Sequence, residues 1–194
     1  MPYELLRTFY AKAEDFKFEE AILENKVCTV YRARCAYSNG AVNLKSYKNL
    51  TDNVKRRVLQ EIRLAQAGCP FIQRCFDAFE DKYQWWVVLE HCAGGTLLDV
   101  LRRIGRVDNE GWLASQVIHL ILQTLSYLHG ESIIHRAITA QNVHFNSNKV
   151  LKLGGLYFCV DTSFGPATDV VGSVDYLAPE IPQCLRAGHG QNPK

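Results

Sequence analysis

The chain has 194 residues, 47% of them hydrophobic and 22% charged, with a formal net charge of +2. That length admits one sizeable domain or two small lobes, and the composition is that of an ordinary globular protein. A charge so close to zero supplies no field for nucleic acid or an anionic membrane, so neither is expected as a partner. The densest basic cluster, Lys55-Arg56-Arg57, reads as a solvated helix face. Cys28, Cys35, Cys69, Cys75, Cys92, Cys159 and Cys184 are odd in number and scattered, with no C-x-x-C pair. That argues against a disulfide framework or a zinc site and for a reducing compartment. The first residues, MPYELLRTFYAKAEDF, are charged throughout and lack a signal-peptide core. No apolar run approaches the roughly 20 residues that span a bilayer. The expected location is the cytosol or nucleus.

In chain order, Val27 to Tyr37 is rich in β-branched and aromatic residues, and AVNLK follows Ser38-Asn39-Gly40. Asn-Gly between strand-like runs predicts a hairpin with both residues at positive φ. Asp52 is placed to cap a helix in which Val54, Val58, Ile62 and Ala65 recur at helical spacing. Gly68-Cys69-Pro70 ends it. Phe71 to Phe79 and Trp85 to Leu89 read as strands joined by Glu80-Asp81-Lys82, and Gly94-Gly95 then breaks the chain. Leu97 to Ile104 reads as a short helix and Trp112 to His129 as a long one, with Leu113, Val117, Leu120, Ile121, Leu125 and Leu128 as a core stripe. Short strands are expected at Ile133-Ile134, Val143–Phe145 and Leu151–Leu153, with loop beyond them. Strands with one helix, then mostly helices, predict an α+β chain with a β-rich lobe followed by a helical lobe.

His135-Arg136-Ala137-Ile138-Thr139-Ala140-Gln141-Asn142 fits the spacing H-R-D-L-x-x-x-N except at the aspartate. It follows the long helix ending in Tyr127-Leu128-His129 and precedes Leu151-Lys152-Leu153-Gly154 and Ala178-Pro179-Glu180. Upstream stand Val42-Asn43-Leu44-Lys45, Glu61 on the next helix, and Glu90-His91-Cys92-Ala93-Gly94-Gly95. In this order the chain resembles a eukaryotic protein kinase domain from near Phe16 to Glu180. Gln141-Asn142-Val143 and Gly172 to Ile181 are most similar to the NIMA-related serine/threonine kinases. The resemblance implies an N-terminal extension (1–15), an N-lobe (16–89), a hinge (90–95), a partial C-lobe ending after A-P-E (96–181) and a flexible tail (182–194). It also adds cytoskeletal association to the expected locations.

The resemblance implies that Lys45 and Glu61 form the ion pair that aligns a lysine on nucleotide phosphates. Independently, Glu61 falls on the apolar face of its helix, where a lone carboxylate is costly and needs a partner. An ATP site would use Lys45, Glu61, Glu90 and Cys92, with Leu89 as gatekeeper. The resemblance also shows what is lacking. Ala137 stands where the proton-accepting aspartate belongs, Thr139 where a lysine belongs, and Gly155 where the metal-binding aspartate belongs. Of the loop, His135, Arg136 and Asn142 are retained. Glycine offers no side-chain oxygen to Mg²⁺, a hard cation that takes carboxylates and phosphates. Asn142 by itself is a weak ligand and is expected to bond the loop backbone. Leu23, Asn25 and Cys28 replace the glycines whose amides close over phosphates. Asn43 replaces the alanine that packs on adenine, and Asp161 is expected to be a loop residue, no substitute for the missing acids.

The expectation is a pseudokinase with no functional catalytic residue and no resident cofactor, ATP and Mg²⁺ being the only candidates, that serves as a scaffold or regulatory module for a protein partner. The alternatives are a serine/threonine kinase with residual transfer, and a non-functional fragment in which the face of the long helix is uncovered. Thr162, Ser163, Thr168 and Ser173 are the candidate phosphorylation sites.

Overall fold

The computed structural model describes residues 12–81, 84–105, 108–167, 169–179 and 181. The expected turn residue Lys82, Thr168, Glu180 of A-P-E, the tail from residue 182 and most of the N-terminal extension lie outside the described residues. The chain divides into two compact units, Met1–Gly68 with Gln73–Ala93, and Cys69–Ile72 with Gly94–Lys194.

The first unit is an antiparallel sheet of β1 (Phe16–Glu24), β2 (Cys28–Cys35), β3 (Ala41–Tyr47), β4 (Cys75–Glu80) and β5 (Trp85–Glu90) in the order β1-β2-β3-β5-β4. Alternation along β3 decides what each face does. Val42 and Leu44 join Phe16, Ala33, Phe79, Trp86 and Val88 in one core. The intervening Asn43, Lys45 and Tyr47, all buried, therefore point to the other face. The β2–β3 connection is longer than a two-residue turn. Cys35 N–H donates to Gly40 O at 3.0 Å, and only Asn39, at φ 54°, takes the left-handed conformation expected of both Asn39 and Gly40. β1 escaped the sequence reading. Only Phe16 of its nine residues is buried, and two register shifts against β2 destroy the period-2 pattern.

Helix α1 (Asp52–Gln66) buries Val58, Glu61, Ile62, Leu64 and Ala65. Its cap is Thr51, whose Oγ1 accepts from Val54 N–H at 3.4 Å, and Asp52 is instead the first helical residue. An acid in the first turn still favours the helix dipole there. The strand expected from Phe71 begins only at Cys75. Upstream, Ile72 makes an isolated parallel bridge to Leu153 within the second unit.

The second unit contains β6 (Gly95–Thr96), α2 (Leu97–Ile104), α3 (Glu110–Trp112) and α4 (His119–Gly130), with a π-helical turn at Leu113–Ile118 between the last two. Thr96 and Asp99 cap α2 reciprocally, Thr96 Oγ1 accepting from Asp99 N–H and the carboxylate accepting from Thr96 N–H. β6, β8 (Val143–Phe145) and β9 (Leu151–Leu153) form one small sheet, and β7 (Ile133–Ile134) pairs with β10 (Val160–Asp161) in another. Leu97, Val117, Ala140, Val143, Phe145, Leu151 and Leu153 make the core. In α4 the buried positions include Thr124, outside the predicted stripe. Its hydroxyl is satisfied by donating to Leu120 O at 2.8 Å. Among the described residues no helix is long and apolar enough to cross a membrane.

Candidate functional site

In the sheet unit the site is built around a buried carboxylate. Glu61 is 2% exposed and must be neutralised by its neighbours. Lys45 Nζ lies 2.7 Å from Glu61 Oε1, and the Tyr47 hydroxyl donates to Glu61 Oε2. Lys45 Nζ also lies 5.1 Å from the centroid of the Tyr47 ring, within reach of a cation–π attraction. The strand period puts Lys45 and Tyr47 on one face, and burial of Val58 and Ile62 turns Glu61 toward it. Tyr47 was missed in the sequence. Its signal is the position two residues beyond Lys45, on the same face of the same strand. Beside Glu61, burial raises the Cys28 thiol, and burial reinforced by the Glu61 charge raises the Cys75 thiol to about 12. Neither is a nucleophile near neutrality.

The other candidate binding groups of this unit have hydrogen-bond partners within it. Asn43 Oδ1 lies 2.9 Å from His91 Nδ1, which therefore carries the proton and donates. Burial, helped by Arg32, holds the His91 imidazole below its ordinary range. The Glu90 carbonyl accepts from Gln73 Nε2 at 2.9 Å, and Glu90 N–H donates to Arg74 O at 2.8 Å. Cys92 is buried, with its Sγ 3.9 Å from Glu90 O. Of the positions that replace the loop glycines, Leu23 is exposed and Cys28 buried. Asn25 closes the turn on itself, its Oδ1 accepting from Val27 N–H at 2.8 Å and Cys28 N–H at 3.0 Å. Two amides of that turn are thus bonded internally.

In the helical unit, β7 leads into the loop that carries His135. This histidine is 1% exposed; its Nε2 donates to Gly154 O at 3.0 Å, and its Nδ1 accepts from Ala137 N–H at 3.2 Å. Burial drives its pKa down to about 4, so the neutral ring is a strut for the loop. Arg136, at φ 62°, donates through Nε to Phe158 O at 2.7 Å and through Nη1 to Asp169 Oδ1 at 2.5 Å. Ala137 and Thr139 are both buried. Asn142 Nδ2 donates to Ala137 O at 2.8 Å, the backbone role expected of it.

Gly155 is the counterpart of that arrangement. Its φ is +74°, and a Cβ built on it falls 2.5 Å from Asn142 Cγ and 2.8 Å from Asn142 Oδ1. The space of a side chain at 155 is occupied by the Asn142 carboxamide. Asp161 is half-buried in β10, and its Oδ1 accepts from Ser163 N–H at 3.0 Å, capping the 3-10 turn Thr162–Phe164. Thr162 Oγ1 donates to Ser132 O at 2.9 Å, and the Ser163 hydroxyl donates to Asp161. Among the described residues no group of three or more His, Cys, Asp or Glu is arranged to hold a metal ion.

A family model described as the protein kinase domain matches residues 16–191. The chain is 29% identical over 188 residues to a calcium/calmodulin-dependent protein kinase of Emericella nidulans, covering 94% of this chain and 44% of that protein. It is 28% identical over 174 residues to an Aurora kinase of Yarrowia lipolytica, covering 88% and 46%. Against the serine/threonine-protein kinase PLK4 of Aedes aegypti it is 29% identical over 197 residues, covering 94% and 24%. The chain thus spans less than half the length of these relatives. With a sheet-rich unit bearing Lys45 and Glu61, a helical unit bearing the His135–Asn142 loop, and a family match over nearly its whole length, this α+β chain belongs to the protein kinase family.

Proposed function

We propose that this protein is a pseudokinase: a protein kinase domain that does not transfer phosphate and acts as a scaffold or regulatory binding module for a protein partner. The observation that carries the reading is the packing of the Asn142 carboxamide into the side-chain space of Gly155, where the family's metal-binding aspartate belongs. As ligands for Mg²⁺ the residues do not fit. Glycine has no side-chain oxygen, and Asn142 offers one neutral oxygen, Oδ1, its Nδ2 being the atom that donates to Ala137 O. Ala137 has no group to take a hydroxyl proton, and Thr139 carries no charge to neutralise a phosphoryl group. Losses of this kind cost orders of magnitude in rate and do not simply add. In the sheet unit, the internally closed turn at Asn25 and the Asn43–His91 bond argue the same way against ordinary nucleotide docking.

Within the family, the Gln141-Asn142-Val143 stretch and Gly172 to Ile181 support placement near the NIMA-related kinases. A cytosolic, cytoskeletal or nuclear location goes with that placement, with no nucleic-acid or membrane partner and no resident cofactor. The test is phosphate transfer from radiolabelled ATP with Mg²⁺ to casein and to the chain itself, beside Lys45→Met. Incorporation no higher than in that variant is expected. Transfer that Lys45→Met abolishes would overturn the reading. It would establish the alternative, a serine/threonine kinase with residual activity, which is favoured by the formed Lys45–Glu61 pair at 2.7 Å and by the relatives' own activity as named.

A further inference from the structure

Helix α4 carries apolar residues on two sides. On one, Thr124 and Leu128 are buried, and Val117 before them belongs to the core. On the other, Ile118 is 48% exposed and Leu122 58% exposed. Ile118 already has helical dihedrals, φ −64° and ψ −48°, so the helical period runs unbroken from it to Gly130. Ile118, Leu122, half-buried Leu125 and exposed His129 therefore follow at steps of four, three and four along one stripe, the spacing of a helix–helix seam. A helix that is apolar all round is ordinarily covered all round. An aliphatic stripe left open on such a helix is the pattern of an interaction surface.

Charge says what covers it. From Gly111 to Gly130 there is no Asp, Glu, Lys or Arg, although 22% of the chain is charged. A partner with a charged face would find no counter-charge here and would lose its hydration without compensation. A second copy of the same face brings no charge. In a two-fold contact each patch meets itself, so a charged residue would stand near its own like charge, and this stripe avoids that cost. Its spacing is also self-complementary. Steps of four, three and four read the same in both directions, so an antiparallel copy sets Leu122 against Leu125 and Ile118 against His129. At the border, His119 and Ser126 are exposed. A neutral imidazole and a hydroxyl each donate and accept a hydrogen bond, so the rim too can meet its own kind.

We propose that the stripe of Ile118, Leu122, Leu125 and His129 on α4 docks a second copy of this chain, as an antiparallel two-fold helix pair. Four side chains from each copy fall short of the roughly 800 Å² a side of a standard interface, so the dimer is weak and reversible. The inference does not depend on the absence of phosphate transfer, and either can fail alone.

Sedimentation velocity of the full chain, over a concentration series up to about 0.3 mM, should show a reversible shift from monomer to dimer. Leu122→Glu and Leu122→Lys change an exposed position, so each should melt like the parent. Each should stay monomeric, a loss in affinity of at least about 10-fold. Mixed in equal amounts they should dimerise again, because the two substituted positions lie beside each other at the two-fold axis with opposite charge. Ile118→Glu, on the same stripe, should repeat the loss even where a variant at 122 fails to fold. Ile22→Glu, at a position of the sheet unit that is 46% exposed, should dimerise like the parent. A parent that stays monomeric throughout would overturn the proposal and leave the stripe to another segment or a different protein. Stripe variants that dimerise like the parent, a mixture that stays monomeric, or a dimer lost in Ile22→Glu would overturn it as well.

Discussion

Gly155→Ala adds one methyl group to the chain and tests the packing on which the functional reading depends. The backbone there has φ +74°, a conformation that costs an L-residue roughly 1–2 kcal/mol. The new Cβ would stand 2.5 Å from Asn142 Cγ, so the carboxamide must move. Its bond to Ala137 O, 2.8 Å long, is then weakened or lost, at a cost of about 0.5–1.5 kcal/mol. Together these give a loss of about 1.5–3.5 kcal/mol. For a chain of this size that lowers the melting temperature by about 3–14 °C. Calorimetry of Gly155→Ala, Asn142→Ala and the double variant separates the two contributions. Removing Asn142 relieves the clash, so the double variant should lose less than the sum of the singles. Gly155→Asp should be destabilised as well, and should not gain a response to Mg²⁺ by itself. A Gly155→Ala melt within about 1 °C of the parent, or strictly additive losses, would refute the reasoning.

Tyr47→Phe removes a hydroxyl bonded to a charged group and should cost about 1.5–3 kcal/mol in denaturant unfolding, although no atom of the Lys45–Glu61 pair is touched. An unchanged midpoint would remove Tyr47 from the cluster. Glu61→Ala leaves Lys45 buried without its carboxylate and should cost about 3–5 kcal/mol; a loss below that of Tyr47→Phe would contradict the geometry. His135 has a folded pKa of about 4, against roughly 6.5 in the unfolded chain. Its contribution is therefore complete above pH 6.5 and lost as pH falls toward 4, by about 3 kcal/mol. Stability measured against pH should fall less steeply over that window in His135→Gln, and identical slopes would show that His135 is not the group titrating.

Much of the fold was legible because its signals are local. The helical periods of α1 and α2 mark those elements, a carboxylate on an apolar face required a partner, and the family resemblance named Lys45 as that partner. The retained loop spacing located His135, Arg136 and Asn142, and the strand-like runs at 133–134, 143–145 and 151–153 appear where their residue types put them. What escaped depends on tertiary context. β1 exposes nearly every residue, so no alternation marks it. Tyr47 looks like any strand aromatic until Glu61 is brought beneath it. Thr124 lies within α4 as a polar residue outside the stripe, and only its bond to Leu120 O explains its burial. The Asp169 contact of Arg136 spans 33 positions of sequence, and no local pattern carries it. The occupation of the Gly155 space by Asn142 is likewise a matter of packing: the sequence shows the missing carboxylate but not what fills its place.

The most direct test of the central claim is the thermal unfolding of the purified chain with ATP, with and without Mg²⁺. A ligand that binds the native state raises its apparent stability by mass action, by about 2.7 kcal/mol at a hundred times its dissociation constant. If the chain is the proposed pseudokinase, with Gly155 packed against Asn142, the expected result is a cooperative transition whose midpoint does not move with ATP and Mg²⁺ together. A midpoint that rises with ATP only when Mg²⁺ is present would mean that a metal–nucleotide complex is held despite Gly155, and would contradict that reading.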